Sequence, residues 1–277
     1  MTEQSSTQSV LKPKSTRESI QRMFFRYVLP VVILIVLWQT VAYIASRHLQ
    51  NPISIFDIAE AFVKLSIEGD TEGRTLLEHT SLSMFRVALG FLVAAATAIP
   101  LGIAIGRYKI ADWVLGPVVE ATRPIPPIAW IPISILMFQA NFLGSQVFII
   151  WIGAFFPILI NTTTGVKRTE PVHIDVAHTF GANERQILKS IVIPSASPEI
   201  FAGLKVGFGI GWMCLVAAEM IGGGLGLGYL VLITEQLGRT AQTICAMLMI
   251  GVIGFVISYI FLLLERSVTR WRQAVSI

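Results

Sequence analysis

Long stretches without a charged side chain constrain this sequence more than any other feature. There are 20 uncharged residues between Arg26 and Arg47, 20 between Arg86 and Arg107, and 25 between Arg239 and Glu265. The hydrocarbon core of a bilayer is about 30 Å thick and takes about 20 helical residues, and a charge at its centre costs about 2.5–3.5 kcal/mol. Each window therefore predicts one membrane-spanning helix.

Two further regions supply the remaining spans. The window 124–166 is too long for one crossing, and its polar break at 139–145 divides it into two, the first made irregular by its prolines. The window 198–219 carries Lys205 near its start, and a lysine there can extend its ammonium group to the interface. The sequence thus predicts an all-α membrane protein with six spans near residues 27–46, 82–106, 124–140, 145–164, 198–218 and 243–264.

Composition and charge placement support this prediction and orient it. Hydrophobic residues make up 54% of the 277 residues and charged residues 14%, against roughly 45–50% and 25% in soluble domains. Threading six spans alternately places most Lys and Arg on one side, which predicts that both tails, 1–26 and 273–277, are cytoplasmic. The acidic segment 47–81 is then an external loop, with a short helix near Ile55–Ile67. The net charge of +4 reports this topology, and we expect no nucleic-acid partner.

Motifs for chemistry on this chain are missing from the sequence. The four histidines have no metal-ligand spacing, and no nucleophile motif or pair of carboxylates within a span occurs. The glycine-rich run 222–228 lacks the Gly-Lys-Ser/Thr ending of a phosphate-binding loop, so we interpret it as a turn between the fifth and sixth helices. We expect no metal and no cofactor here, and any ATP that drives this protein binds another chain.

The segment 166–194 is a long polar region between the fourth and fifth predicted spans, and its pattern predicts a helical hairpin. Val172, Val176 and Phe180 recur every four residues, Gly181 interrupts the pattern, and a second amphipathic helix is predicted to end at Pro194. The apolar face needs a partner, which is either another protein or the bilayer surface.

This hairpin carries a recognisable motif. Asp175-Val176-Ala177, three residues, Gly181, nine residues, then Ile191-x-Ile193-Pro194 resembles the EAA loop of bacterial and archaeal ABC importer permeases, with Asp in place of Glu, Val in place of Ala and Ile in place of Leu. In that family the loop is a coupling helix that docks in a groove of the ATP-binding subunit. The resemblance implies such contacts for Asp175, Val176, Ala177, Thr179, Phe180, Gly181, Ala182, Asn183 and Glu184.

Other segments narrow the resemblance to one branch. The stretches 123–132, 157–162, 200–207 and 217–221 resemble the nitrate, taurine, alkanesulfonate and bicarbonate permeases. This implies a type I ABC importer permease fold over residues 27–272, in the cytoplasmic membrane of a prokaryote. It also implies a second permease copy as a homodimer, two cytoplasmic ATP-binding subunits that carry ATP and Mg, an external solute-binding protein, and a small anion as the solute.

Candidates for the translocation pathway rest on composition. Gly207 and Gly211 could leave room for solute, although small residues also permit close helix packing. Arg123 could lie in an anion path or form an ion pair with Glu120 three residues earlier, and Trp130 belongs to the same proline-rich segment. Glu219 is predicted to end the fifth helix at the external face. A secondary transporter and a non-transporting membrane scaffold are the alternatives, but the former should carry ionisable residues at mid-span.

Overall fold

The computed structural model describes residues 29–45, 54–139, 141–222 and 224–268, nearly all of them helical. The chain divides into two compact units, residues 1–58 and 59–277. In the first unit, α1 (Leu29–Ala45) is a 17-residue apolar helix that coincides with the first predicted span. The predicted tails, 1–26 and 273–277, lie outside the described residues.

The predicted short helix after the first span is confirmed, since α2 runs over Ile55–Ile67. The helices that follow it in the second unit are α3 (Leu76–Arg107), α4 (Lys109–Thr122), α5 (Ile131–Phe138), α6 (Phe142–Lys167), α7 (Pro171–Thr179), α8 (Glu184–Ile187), α9 (Ile193–Gly222), α10 (Leu227–Gln236) and α11 (Thr240–Val268).

Within the described residues, four helical segments are long and apolar enough to cross a membrane. They are Leu76–Arg107, Phe142–Lys167, Glu184–Gly222 and Thr240–Glu265, and they contain the second, fourth, fifth and sixth predicted spans. Each extends beyond its predicted window because polar and capped turns continue the helix past the apolar stretch. At the start of α3, for example, Thr75 and Glu78 form a capping box.

The third predicted span, 124–140, is not one helix. A 3₁₀ turn, Pro127–Trp130, precedes the eight-residue helix α5, and together they form an apolar element that is shorter than the four long spans. Proline has no N–H and disfavours helical backbone in the residue before it, so Pro124, Pro126 and Pro127 interrupt the helix. Upstream, the helix α4 is not among the predicted elements.

The predicted end of the hairpin at Pro194 is wrong. The π-helical turn Leu188–Val192 joins α8 to α9, so the second hairpin helix continues directly into the fifth span. The N–H of Ile193 bonds to the carbonyl of Leu188, five residues back. This register shift accommodates Pro194, which cannot donate a bond and sits in the first turn of α9.

The core of the second unit lies where α6 packs between α3 and α9. Buried Ala94 and Ala98 of α3 meet Ala154 and Ile158 of α6 in one cluster. On the α9 side, a Cβ added to Gly207 would come within 2.9 Å of the Ala154 carbonyl oxygen. The small residues therefore let the helix backbones approach closely, which is one of the two predicted explanations for them.

Candidate functional sites in the hairpin and around Glu219

The hairpin, residues 170–187, turns at Gly181. Gly181 has a φ of +79°, a left-handed backbone conformation that glycine adopts readily. The N–H of Ala182 bonds back to the Ala177 carbonyl and that of Gly181 to the His178 carbonyl, which closes the end of α7. A Cβ at Gly181 would meet no atom within 4 Å, so backbone conformation and not steric contact within the chain favours glycine here.

One face of the hairpin is apolar and exposed. The side chains of Val172 and Val176 lie at the surface, and Phe180 at the tip is 87% exposed. The second half of the hairpin differs, because Ile187 is fully buried in a cluster with Val166 and neighbouring residues. The predicted amphipathic pattern thus separates into an inward half that anchors the hairpin and an outward half that is open to a partner.

Several residues implied to contact an ATP-binding subunit already have contacts within the chain. Asn183 caps α8 and shares a capping box with Gln186. Glu184 Oε2 lies 2.8 Å from Arg107 Nη2, at the end of α3, and its Oε1 lies 3.5 Å from His178 Nε2. The contact with Arg107 ties the hairpin to α3. Within α7, the Thr179 hydroxyl donates a hydrogen bond to the Asp175 carbonyl.

Glu219 is not at a surface, which corrects its predicted position. The helix α9 continues to Gly222, and the Glu219 side chain has no solvent exposure. Its Oε1 accepts a hydrogen bond from Arg86 Nη1 at 2.8 Å, and the Ser83 hydroxyl lies 2.8 and 2.9 Å from its two oxygens. The Gly228 N–H donates to Oε2 at 2.9 Å. A buried carboxylate is thus paired with a cation and fully hydrogen-bonded.

The same side chains hold the glycine-rich loop. Arg86 Nη1 also donates to the Leu225 carbonyl, and the Ser83 hydroxyl accepts from the Leu227 N–H at 2.9 Å. We refer to Ser83, Arg86, Glu219 and the backbone of 225–228 as the carboxylate network. The predicted simple turn at 222–228 is therefore wrong in part, since the run leads at Leu227 into α10, whose residues Leu227 and Leu230 are fully buried.

A second buried carboxylate lies beside the network. His79 Nδ1 lies 3.0 Å from the Gly226 carbonyl oxygen and 3.1 Å from the Gly226 nitrogen, and its Nε2 lies 3.1 Å from Asp70 Oδ2. Burial raises the pKa of the Asp70 carboxyl, but hydrogen bonds from the Arg74 and Glu72 N–H groups and from His79 outweigh it, so this pKa lies below its ordinary value. Asp70 is thus held as a carboxylate at neutral pH.

The other pathway candidates are scattered. Arg123 Nη1 lies 3.3 Å from Glu120 Oε1, and both side chains are largely exposed, so the predicted ion pair is present. Trp130 packs beside a core cluster of α5, α6 and α9. Gly207 and Gly211 face α6. A role of these residues in a pathway stays a prediction. Among the described residues, no group of three or more His, Cys, Asp or Glu could hold a metal ion.

Sequence reasoning missed the polar side chains of α3 that complete the network. His79, Ser83 and Arg86 have spacings of four and three residues, which places them on one helical face. A line of polar side chains on a membrane-spanning helix indicates a polar partner, and this signal could have predicted such a partner for α3 without identifying Glu219. Asp70 carried no comparable signal because it lies in a loop.

Comparisons with known proteins agree with the fold and with the resemblance to ABC importer permeases. A family model described as binding-protein-dependent transport system inner membrane component matches residues 98–273. A putative ABC transporter permease of Methanocaldococcus jannaschii is 42% identical over 86% of this chain and 89% of its own length. The taurine transport system permease of Escherichia coli is 31% identical over 88% of this chain and 89% of its own.

Two further comparisons cover a nitrate importer and a solved structure. The nitrate import permease of Synechococcus elongatus is 32% identical over 90% of this chain and 93% of its own length. A chain of the MetNI methionine ABC transporter, solved in inward facing conformations, superposes with a TM-score of 0.61 at 16% identity, over 70% of this chain and 96% of that one. The chain belongs to the family of inner-membrane permease components of binding-protein-dependent ABC importers.

Proposed function

We propose that this permease moves a small anion of the sulfonate, nitrate or bicarbonate class inward across the cytoplasmic membrane, driven by ATP that is hydrolysed on separate subunits. Relatives that align with most of this chain are named for taurine, nitrate, aliphatic sulfonates and bicarbonate. All four are small anions or carry an anionic group. The shared chemistry is therefore a compact oxyanion, and the binding protein sets most of the choice among these solutes.

The observation that carries this proposal is the exposed apolar tip of the hairpin. Phe180 and Val176 form a projecting apolar surface beside the Gly181 turn, and exposed apolar patches mark interaction sites. An amphipathic helix that seats this surface in a groove of an ATP-binding subunit would pass movement to the membrane helices. The continuous helical run 184–222 provides the lever, because it connects the hairpin to the fifth span.

The assembly follows from this arrangement. Two permease copies related by a two-fold axis would enclose the pathway, and two ATP-binding subunits would carry ATP and Mg beneath the two hairpins. The hairpin side is then cytoplasmic, as are both tails, and the solute-binding protein docks at the opposite end near the start of α3. Each copy of this chain would contribute one half of the translocation pathway, and the partner subunits would supply the energy.

The test compares two exposed apolar residues at opposite ends of the second unit. We expect Phe180→Ala to reduce co-purification of the ATP-binding subunit and to uncouple ATP hydrolysis from uptake, because it removes the apolar tip. Leu77→Ala, which truncates a similarly exposed side chain at the start of α3, should leave co-purification unchanged. Equal co-purification for both variants would contradict the docking role of the hairpin.

The substrate is tested by uptake into proteoliposomes that contain the full complex and its cognate binding protein. Nitrate, bicarbonate, taurine and an alkanesulfonate are offered singly, each with ATP inside the vesicles. We expect ATP-dependent accumulation of one of these solutes and none of a cationic or neutral amino acid. Accumulation of methionine alone would overturn the anion assignment while leaving the permease role intact.

A further inference from the structure

The carboxylate network joins segments that are far apart in sequence. Ser83 and Arg86 belong to α3, Glu219 belongs to the last turns of α9, and the acceptor or donor groups of Leu225, Leu227 and Gly228 belong to the glycine-rich loop and the start of α10. One carboxylate therefore connects two long helices to the loop and to α10.

We propose that Glu219 is a positioning residue that fixes the loop 224–228 and α10 to α3 and α9, so that these parts move as one rigid body during transport. This inference rests on the proposed transport function. It adds to that function the identification of a region that stays rigid while the permease changes conformation. The contacts of the carboxylate network then persist through every transport cycle and do not break and re-form. We call the network and the segments that it holds together the brace.

Burial is the first argument for a permanent brace. The Glu219 side chain has no exposure and that of Arg86 is only 9% exposed. Separating the loop from α3 and α9 would take the Leu225 carbonyl from Arg86 and the Gly228 N–H from Glu219, and a buried charged group that loses a hydrogen-bond partner is destabilised. A gate that opened here would face this cost in every cycle.

Backbone packing is the second argument. Gly226 has a φ of +137°, and a Cβ there would lie 2.4 Å from the Glu219 carboxyl carbon. A Cβ at Gly228 would lie 2.4 Å from the Val216 carbonyl oxygen. The loop backbone is thus seated directly on α9 and on its carboxylate, with no space for a hinge between them.

The neighbouring contacts of α10 extend the brace to the loop before α3. His79 holds Gly226 and Asp70, as described above, and the Tyr229 hydroxyl donates to Glu72 Oε1 at 3.3 Å. At the hairpin end, by contrast, the Glu184 side chain that ties the hairpin to Arg107 is 55% exposed. Exposed ion pairs contribute little, so this ion pair restrains the hairpin less than the buried contacts of Glu219 restrain the loop 224–228.

A cross-link tests this directly. Glu72→Cys and Tyr229→Cys are combined in a background in which Cys214 and Cys245, both buried, are replaced by Ala and which retains uptake. A short bifunctional maleimide then joins the α2–α3 loop to α10 in the complete reconstituted complex. We expect the cross-linked complex to keep at least half of the ATP-dependent uptake rate of the untreated double variant.

A fall below half on cross-linking, with both single-cysteine variants unaffected by the reagent, would overturn the rigid-body proposal. This result is distinct from a failure of the proposed function, in which the untreated complex would show no ATP-dependent uptake of any solute offered.

A second measurement tests Glu219 itself. Gly224→Cys, a position where a Cβ meets no atom within 4 Å, reports loop mobility by its rate of maleimide labelling in detergent, and Glu68→Cys at the exposed end of α2 serves as the control site. We expect Glu219→Leu to raise labelling at position 224 at least threefold and leave position 68 unchanged. If the Glu219→Leu variant does not insert into the membrane, Ser83→Ala replaces it in this test, because it removes the hydroxyl contacts of the network. We expect Ser83→Ala to raise labelling at position 224 in the same way. Unchanged labelling in a folded variant would refute the positioning role.

Discussion

At the scale of single residues, buried charge in the second unit is concentrated where the start of α3 meets the end of α9. Arg86 and Glu219 form one buried pair, and His79 and Asp70 form a second polar pair beside it. Charged groups tolerate burial when they are paired and hydrogen-bonded, and here backbone N–H groups of the loop 226–228 contribute to both sets, while Arg86 Nε has no hydrogen-bond partner among the described residues. The network therefore depends on the correct loop conformation as much as on the side chains.

Asp70 makes the stability of this region sensitive to acid. Its pKa is lowered from the ordinary value of 3.8 by hydrogen bonds that exist only in the folded state. The stabilisation is therefore fully present above that value and is lost as the pH falls through the lower, folded pKa. We expect Asp70→Asn to lower the free energy of unfolding at pH 7 by about 1.5–3 kcal/mol.

The measurement is thermal unfolding in detergent of both proteins between pH 7 and pH 3. The difference between wild type and Asp70→Asn should shrink below about pH 4, where the wild-type carboxylate gains its proton. A difference that stays constant over this range would argue against a stabilising carboxylate at position 70.

At the scale of elements, the hairpin and the π turn form one mechanical unit. Helix α7 ends at the Gly181 turn, α8 begins at a capping box, and the π turn carries the chain into α9 without a break. Inserted π turns occur frequently at functional positions in helices. The orientation of the exposed tip is thus set by a turn with one special backbone conformation and by the helix that follows it.

Substitution of Gly181 tests that conformation. A β-branched residue with a φ near +79° is disfavoured by about 1–2 kcal/mol, whereas asparagine tolerates this region. We expect Gly181→Val to insert normally but to lower solute-stimulated ATP hydrolysis by about tenfold, the equivalent of that cost. Gly181→Asn is the matched control and should remain within about twofold of wild type. Equal activity of the two variants would show that the left-handed turn is not needed for coupling.

Glycines on α9 test close helix packing in the same way. A Cβ at Gly207 would lie 2.8 Å from Ile158 Cγ1, whereas one at Gly209 would meet no atom within 4 Å. We expect Gly207→Ala to destabilise the protein by about 1–3 kcal/mol through overpacking. The control Gly209→Ala should be neutral or stabilising by about 0.5–1 kcal/mol, since alanine favours helix. Thermal unfolding of both variants decides this, and equal destabilisation would contradict the packing role of Gly207.

At the scale of the whole molecule, the long helices differ in how much of their apolar surface they bury. The most apolar 18-residue window of α6 is 50% buried, whereas that of α11 is 0% buried. An apolar helical stretch of this length without burial in a single chain must face lipid or another chain, because water would not solvate it. The described part of the chain therefore leaves an apolar surface that lipid or another chain must cover.

The proposed orientation can be tested by labelling from each side of the membrane. Thr71 lies in the loop before α3 and His173 on the hairpin, and both are exposed. We expect a membrane-impermeant maleimide to label Thr71→Cys in intact cells and to label His173→Cys only after permeabilisation. The opposite result would reverse the assigned topology and separate the hairpin from cytoplasmic ATP-binding subunits.

The sequence by itself determined the features that depend only on residues close together in the chain. Exclusion of charge from a hydrocarbon layer marks α3, α6, α9 and α11, and the requirement for positive φ marks the turn at Gly181. The exposed face of Val172, Val176 and Phe180 follows from helical periodicity. These features depend on residues within one helix or one turn, so they can be inferred before any tertiary contact is known.

Tertiary structure alone decided how the polar residues are used. Glu219 is buried and not external because α3 brings Ser83 and Arg86 against it, and these contacts join residues more than 130 positions apart in the chain. The same holds for Pro194, which is accommodated within a continuous helical run by a π turn and does not end it. Hydropathy measures the cost of placing a charge in the membrane, but only the packing of distant segments determines whether a partner offsets that cost.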